Sequence, residues 1–199
     1  IKLGEIILEA KSGFACGKRD ENGIIQLRMD SINLDGSLNR SNFVRIPKPD
    51  NVHEYLLKSK DIILVNTSGS VDHLGKVALF DNEFNECVTY SNHLTRIRVN
   101  EDLIVPEWVY FILHYTHIKG KFKTIRHTQA GGQNNIPLQH LLEISIPYPC
   151  RSEQQKIVEI LSAVDKKLEF ERQRKEKLER LKRGLMDLLL TGKIRLKGE

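Results

Sequence analysis

Cysteine is scarce in this sequence. Cys16, Cys87 and Cys150 are odd in number and far apart, which excludes a disulfide framework and any CxxC zinc site and suits a reducing compartment. Long apolar runs are missing as well. Those present are short, such as Ile62-Ile63-Leu64-Val65, whereas a membrane helix needs about 20 apolar residues. No signal-type segment follows Ile1, and the missing Met leaves a fragment or a trimmed chain open. Catalytic frames are also lacking. Ser12-Gly13-Phe14-Ala15-Cys16-Gly17-Lys18-Arg19 has Ser12 where a phosphate-binding loop needs Gly, and Arg19 where it needs Ser or Thr. Gly131-Gly132 lacks the GxGxxG spacing, and no GxSxG elbow frames a serine nucleophile. Ile146-Pro147-Tyr148-Pro149 lacks the Asn that would hold a target amine in an amino-methyltransferase. His114 and His117 stand three residues apart on an expected helix, but no carboxylate or Cys close in sequence completes a metal set. Nothing in the sequence supports autonomous catalysis.

Enough apolar residues are present, 40% of 199, to bury the core of one medium domain with an extension. The charge is divided unevenly. Residues 1–150 carry 17 basic and 17 acidic side chains, while residues 151–199 carry 14 and 9 and hold the whole excess of +5. A basic excess on one element fits a neighbouring polyanion; a solvated helix with interspersed charges is the more common reading of such a run.

The two stretches differ in pattern. Before Pro149, short apolar runs alternate with Asn, Asp, Gly and Ser clusters. Ile24–Leu27 after the turn Glu21-Asn22-Gly23, Asp61–Val65 and Lys76–Phe80 read as strands, and Leu141–Ile146 as a last short one. Leu94–Val99 alternates at period two, which predicts one apolar face. Pro106 and Glu107 open a helix. Pro147 and Pro149 mark a boundary. From there, no proline occurs and Gly184 is the only strong helix breaker before Leu190. Ser152 is the expected N-cap, and Thr191-Gly192-Lys193 the end. Ile157, Val164, Leu178 and Leu185 lie on one heptad series and Leu161, Leu168 and Leu189 on another, with charged residues in the middle of both. Such a stripe on a helix of this length packs along another helix. The expected fold class is therefore α+β, a globular mixed α/β domain at 1–150 and a long helix with a short tail at 151–199.

Three polar loops stand out: Asn66–Ser70, Tyr90–His93, and Arg126–Gln129 leading to Gln133-Asn134-Asn135. Asn, Gln and Arg can pair with base edges, and Ser, Thr and backbone N–H with phosphates. The same residues also favour turns for purely backbone reasons. Residue chemistry alone thus ends at an α+β domain with a helical interaction arm.

Four ordered stretches carry a resemblance. They are Lys2-Leu3-Gly4-Glu5-Ile6; Lys60–Ser70 continued by Leu74-Gly75-Lys76-Val77-Ala78; Gln133–Pro137 with Ile144–Pro147; and Glu153-Gln154-Gln155-Lys156-Ile157-Val158 with Leu161, Asp165 and Leu189–Ile194. Together they resemble the specificity subunit of type I restriction-modification systems over the whole length. Lys60 stands where that family commonly has Gly, and Pro149-Cys150-Arg151-Ser152 replaces a proline-rich lead. The family usually joins two recognition domains and two long helices, so one of each is either a half-subunit that dimerises or a piece of a longer chain. The resemblance implies a non-catalytic, cytoplasmic subunit. Its domain would read one half of a split target in double-stranded DNA. Its helix would pair antiparallel with a second helix, in a coiled-coil-like homodimer or with the second half of a longer chain. It implies adenine methyltransferase and restriction subunits as partners, and no cofactor in this chain: S-adenosylmethionine, ATP and Mg²⁺ would sit on those partners. DNA contacts are expected from Lys18, Arg19, Arg28, Ser68, Ser70, Asn92, Arg126, Gln129 and Gln133, and helix packing from Ile157, Leu161, Val164, Leu168, Leu178, Leu185 and Leu189. A protein-interaction module that does not read DNA is the competing expectation.

Overall fold

Four consecutive apolar residues can be sheltered along a strand only if both of its faces are covered. Ile62-Ile63-Leu64-Val65 meets that condition in the computed structural model, which describes residues 1–81, 84–128 and 132–196. These residues form β4 (Ile62–Val65), each fully buried, a contribution of about 1.5–3 kcal/mol per side chain. The strands β1 (Ile7–Ser12), β6 (Val77–Leu79) and β8 (Leu94–Val99) join it in an antiparallel sheet of order β1-β8-β4-β6. A second sheet, β3 (Val44–Ile46), β2 (Ile24–Leu27) and β7 (Val88–Tyr90), packs on one face through Ile25, Leu27, Val88 and Tyr90 against Ile63, Val65, Ala78 and Leu94. The helix α1 (Pro106–Ile118) packs against β6 and starts with Pro at its first position, where the missing N–H costs nothing.

The strand β8 departs from the period-two expectation. It is buried on both faces, Arg96 and Thr95 included. It lies inside the sheet, and the second sheet covers the face that solvent was expected to wet. Arg96 is accommodated there by an ion pair to Glu9 (2.6 Å), by donation to the carbonyls of Leu56 (2.9 Å) and Glu54 (3.2 Å), and by the Tyr90 ring. Arg98 grips Asp61 with two bonds, at 2.7 and 2.6 Å, and that carboxylate raises the pKa of the guanidinium.

The expected strand Leu141–Ile146 is replaced in its first part by a short helix, α2 (Leu138–Leu142). Leu138, Leu141 and Leu142 have helical spacing, and extended Pro137 opens the turn. Residues 144–146 do run extended, bonded to Ile1 and Leu3 and bridging at Ser145 to Lys2. The long helix α3 (Arg151–Leu190) begins before Ser152, so Ser152 is not its cap. The carbonyl of Cys150 accepts from the N–H groups of Glu153 and Gln154 instead. Buried Gln154 fixes this turn, accepting from Val105 N–H (3.0 Å) and donating to the Pro149 carbonyl (2.9 Å). After α3, Gly192 takes φ +71° and its N–H returns to the Leu189 carbonyl, a glycine C′ stop.

The chain divides into two compact units, Ile1–Gln155 and Lys156–Glu199. No helix among the described residues is long and apolar enough to cross a membrane.

Candidate nucleic-acid interface

Strand register decides which loops meet. Ser12 pairs with Thr95, Leu94 with Val65, and Leu64 with Val77. The loop after β1, the loop after β4 and the turn before β8 therefore emerge at the same end of the first sheet. Leu27 lies level with Tyr90, and Ser91 N–H donates to the Leu27 carbonyl, so Arg28 emerges there too. A third, small sheet extends this end. Its strands are β5 (Thr67–Ser68), β10 (Asn134–Asn135) and β9 (His127–Thr128), in that order. The polar loops separated by some sixty residues of sequence are thus edges of one hydrogen-bonded patch.

Side chains stitch the patch together. Asn66 is buried and donates from Nδ2 to Thr95 Oγ1 (2.9 Å) and Ser12 Oγ (3.1 Å). Its N–H donates to the His93 carbonyl, and its own carbonyl accepts from Ile136. Thr67 donates to Asn135 Oδ1 (3.1 Å), and Thr128 to Asn134 Oδ1 (3.2 Å). Buried Lys76 donates to the carbonyls of Met29 (2.7 Å) and Ile32, holding the turn that follows Arg28. Burial lowers the Lys76 pKa, with Asp30 opposing in part. Asn66 and Lys76 act here as positioning groups. Sequence spacing offered no signal for either, because their partners come from distant strands.

The expected contact residues divide by exposure. Lys18, Arg19, Ser70, Asn92 and Gln133 are exposed, and Arg28 and Arg126 are half-buried. Ser68 is buried, with its hydroxyl accepting from the Ser70 N–H (3.1 Å), so it shapes the loop. Arg126 donates to the Lys123 carbonyl (2.9 Å). Gln129 lies outside the described residues. In the same unit Lys11 is paired with Glu54, Arg45 with Glu86, Lys60 with Glu101 and Lys123 with Asp72. Lys18, Arg19 and Arg28 have no such partner among the described residues. Local positive charge therefore survives in a unit whose net charge is close to zero, the feature a polyanion needs.

Among the described residues no group of three His, Cys, Asp or Glu could hold a metal. His117 is bonded to the Leu74 carbonyl (3.1 Å), while His114 stacks on Tyr110.

In the second unit the heptad positions stay uncovered. Leu161, Val164, Leu168, Leu178, Leu185 and Leu189 are exposed, and Ile157 is half-buried. Leu181, Met186 and Leu190, absent from the heptad reading, join Leu178, Leu185 and Leu189 in one exposed apolar face that Lys182 borders. Strict seven-residue spacing omits them because a straight helix turns every 3.6 residues and so widens its apolar face.

The family model described as the type I restriction modification DNA specificity domain matches residues 16–180. The type I restriction enzyme MjaVIII specificity subunit of Methanocaldococcus jannaschii is 27% identical over 201 residues, 99% of this chain and 46% of that protein. The HindI specificity subunit of Haemophilus influenzae is 25% identical over 111 residues, 56% of this chain and 24% of that protein. Among solved structures, the type I restriction-modification S subunit from M. genitalium superposes with a TM-score of 0.61 at 17% identity. It covers 94% of this chain and 43% of that one. A chain of another type I system gives 0.63 at 18% identity, covering 94% and 44%. The chain spans about half the length of the first of these relatives and of both structures.

Proposed function

Because the chain belongs to the type I restriction-modification DNA specificity domain family, we propose that it reads one half of a split target in double-stranded DNA. The observation that carries this reading is the convergence of the polar loops, Arg28 among them, at one sheet end. Exposed Asn, Gln and Arg side chains suit base edges there, and Ser and backbone N–H groups suit phosphates. Residues 1–150 would be the recognition domain. Residues 151–199 would be the spacer, pairing antiparallel through the Leu178–Leu189 stripe with a second copy or with the other half of a longer chain. The paired helices would fix the distance between half-sites.

The subunit itself would not be catalytic. It would dock adenine methyltransferase subunits, which hold S-adenosylmethionine, and through them a restriction subunit that uses ATP and Mg²⁺. The cytoplasm is its expected location, given its unpaired cysteines and its DNA target. Since residues 1–150 are charge-balanced, the chain alone would bind duplex weakly, because counterion release needs many cationic contacts.

Co-purification with its methyltransferase subunit, followed by mapping of the methylated adenines, tests the reading. A palindromic split motif means that the chain dimerises and reads both halves. An asymmetric motif means that a different second domain reads the other half. A stable complex that methylates nothing favours a helical interaction module instead.

A further inference from the structure

Glycine costs stability in the unfolded chain, and the folded chain usually returns that cost in one of two ways. The backbone takes a positive φ, as at Gly75 (+76°) and Gly132 (+81°), or a neighbour leaves no room for Cβ. Cβ atoms at Gly13 and Gly23 would lie 2.2 and 2.0 Å from the carbonyl oxygens of Tyr90 and Ile46. Gly17 and Gly69 have neither reason. Their φ values are ordinary, and nothing lies within 4 Å of a Cβ built on either. They are unique in this among the described residues of the first unit. Both are exposed, and among the described residues neither N–H has an acceptor. Both sit in connections that leave the same sheet end, Gly17 in the long one from β1 to β2 beside Lys18 and Arg19, Gly69 between Ser68 and Ser70.

A residue that the fold does not require to be glycine, yet is glycine, makes sense where something outside the chain must come close. Positions that break a local rule without internal compensation are expected at functional sites. We propose that Gly17 and Gly69 are the points at which the sugar–phosphate backbone of bound duplex DNA touches the main chain, their free N–H groups donating to phosphate oxygens. A phosphate is the favoured acceptor because backbone N–H groups, hydroxyls and cations are its usual partners, and all three are here. This rests on the DNA-reading function above and adds where the strand passes.

The test uses the full 199-residue chain and a fluorescent random-sequence duplex of about 40 base pairs, titrated at about 50 mM salt and then at rising salt. Gly17→Leu and Gly69→Leu are compared with Ser59→Leu, an exposed position on the turn before β4, at the opposite end of the sheet. Each glycine variant is expected to bind about tenfold more weakly, as a side chain forced into a filled contact does. The melting temperature and the slope of log affinity against log salt should stay unchanged, since no cation is lost. Lys18→Ala should instead lower that slope by about one. Gly17→Ala and Gly69→Ala guard against misfolding, because a methyl enters empty space, and should weaken binding in the same direction. Glycine variants that bind like the parent chain, while the parent binds duplex, overturn the proposal alone. A parent chain that binds no duplex even at the lowest salt, where the weak binding expected of the free chain is strongest, overturns the DNA-reading function and the proposal together.

Discussion

Ile62–Val65 in the first unit and Leu185–Leu189 in the second are both mainly apolar in sequence, yet they end in opposite environments. The four strand residues are 0% exposed; Leu185 and Leu189 remain 47% and 41% exposed. Charges divide in the same way. The first unit neutralises buried Arg96 against Glu9 and Asp61 against Arg98, whereas the second carries widely exposed charges with loose pairs such as Lys175–Glu179 at 4.0 Å. One unit buries its apolar side chains within itself. The other holds an apolar stripe whose burial depends on a partner helix.

Substitutions at Arg96 should separate the units most sharply. Arg96→Ala removes a fully buried side chain together with its bonds to half-buried Glu9 and to the Leu56 and Glu54 carbonyls, an expected loss of about 2–4 kcal/mol, visible in urea unfolding of the first unit. Leu185→Ala should change the stability of the unpaired chain by less than about 0.5 kcal/mol. In a helix pair the same change should cost about 1.5–3 kcal/mol of association, read by sedimentation equilibrium. Unaltered association would remove this stripe from the pairing surface. Arg28→Ala or Gln133→Ala, if either touches a base, should cost about 1–3 kcal/mol and relax one position of the methylated motif. Asn66→Ala should cost about 1 kcal/mol and quicken amide exchange at 67–68 and 134–135, since it unties the small third sheet from the main one.

The smallest effect is one of pH. Burial holds the His117 pKa below its ordinary 6.5, with the Leu74 carbonyl opposing and the positive charges of His114, Lys76 and Lys123 adding to the depression. The unfolded chain therefore takes up the proton first as pH falls. His117 gives its full stability above pH 6.5 and loses it progressively below. His117→Gln should flatten the melting temperature between about pH 8 and pH 5, and an unchanged pH profile would assign the acid sensitivity elsewhere.

Local grammar was legible where neighbours in sequence are neighbours in space. The strands at 24–27, 62–65 and 77–79, the helix opened by Pro106, the long helix and its Gly192 stop all follow from spacing, proline and glycine. Reading failed where a distant element intervened. Period two in Leu94–Val99 promised a wet face, and the second sheet dried it. Ser152 has the chemistry of a cap, but Gln154 reaching to Val105 and Pro149 draws the helix start back to Arg151. Among the contact candidates, Ser68 looked no different from Ser70, and only the fold buries one and exposes the other.

Composition, periodicity and the ordered family-like stretches were enough to specify an α/β domain, a long amphipathic helix and the family. They were enough because propensity and amphipathic spacing act over a few residues. Which loops share an end, which arginine is buried, and which glycines face open space were settled by strand register and sheet packing. Those depend on pairing residues far apart in the chain, such as Ser12 with Thr95 or Ser68 with Asn134, and no local pattern encodes such a pairing.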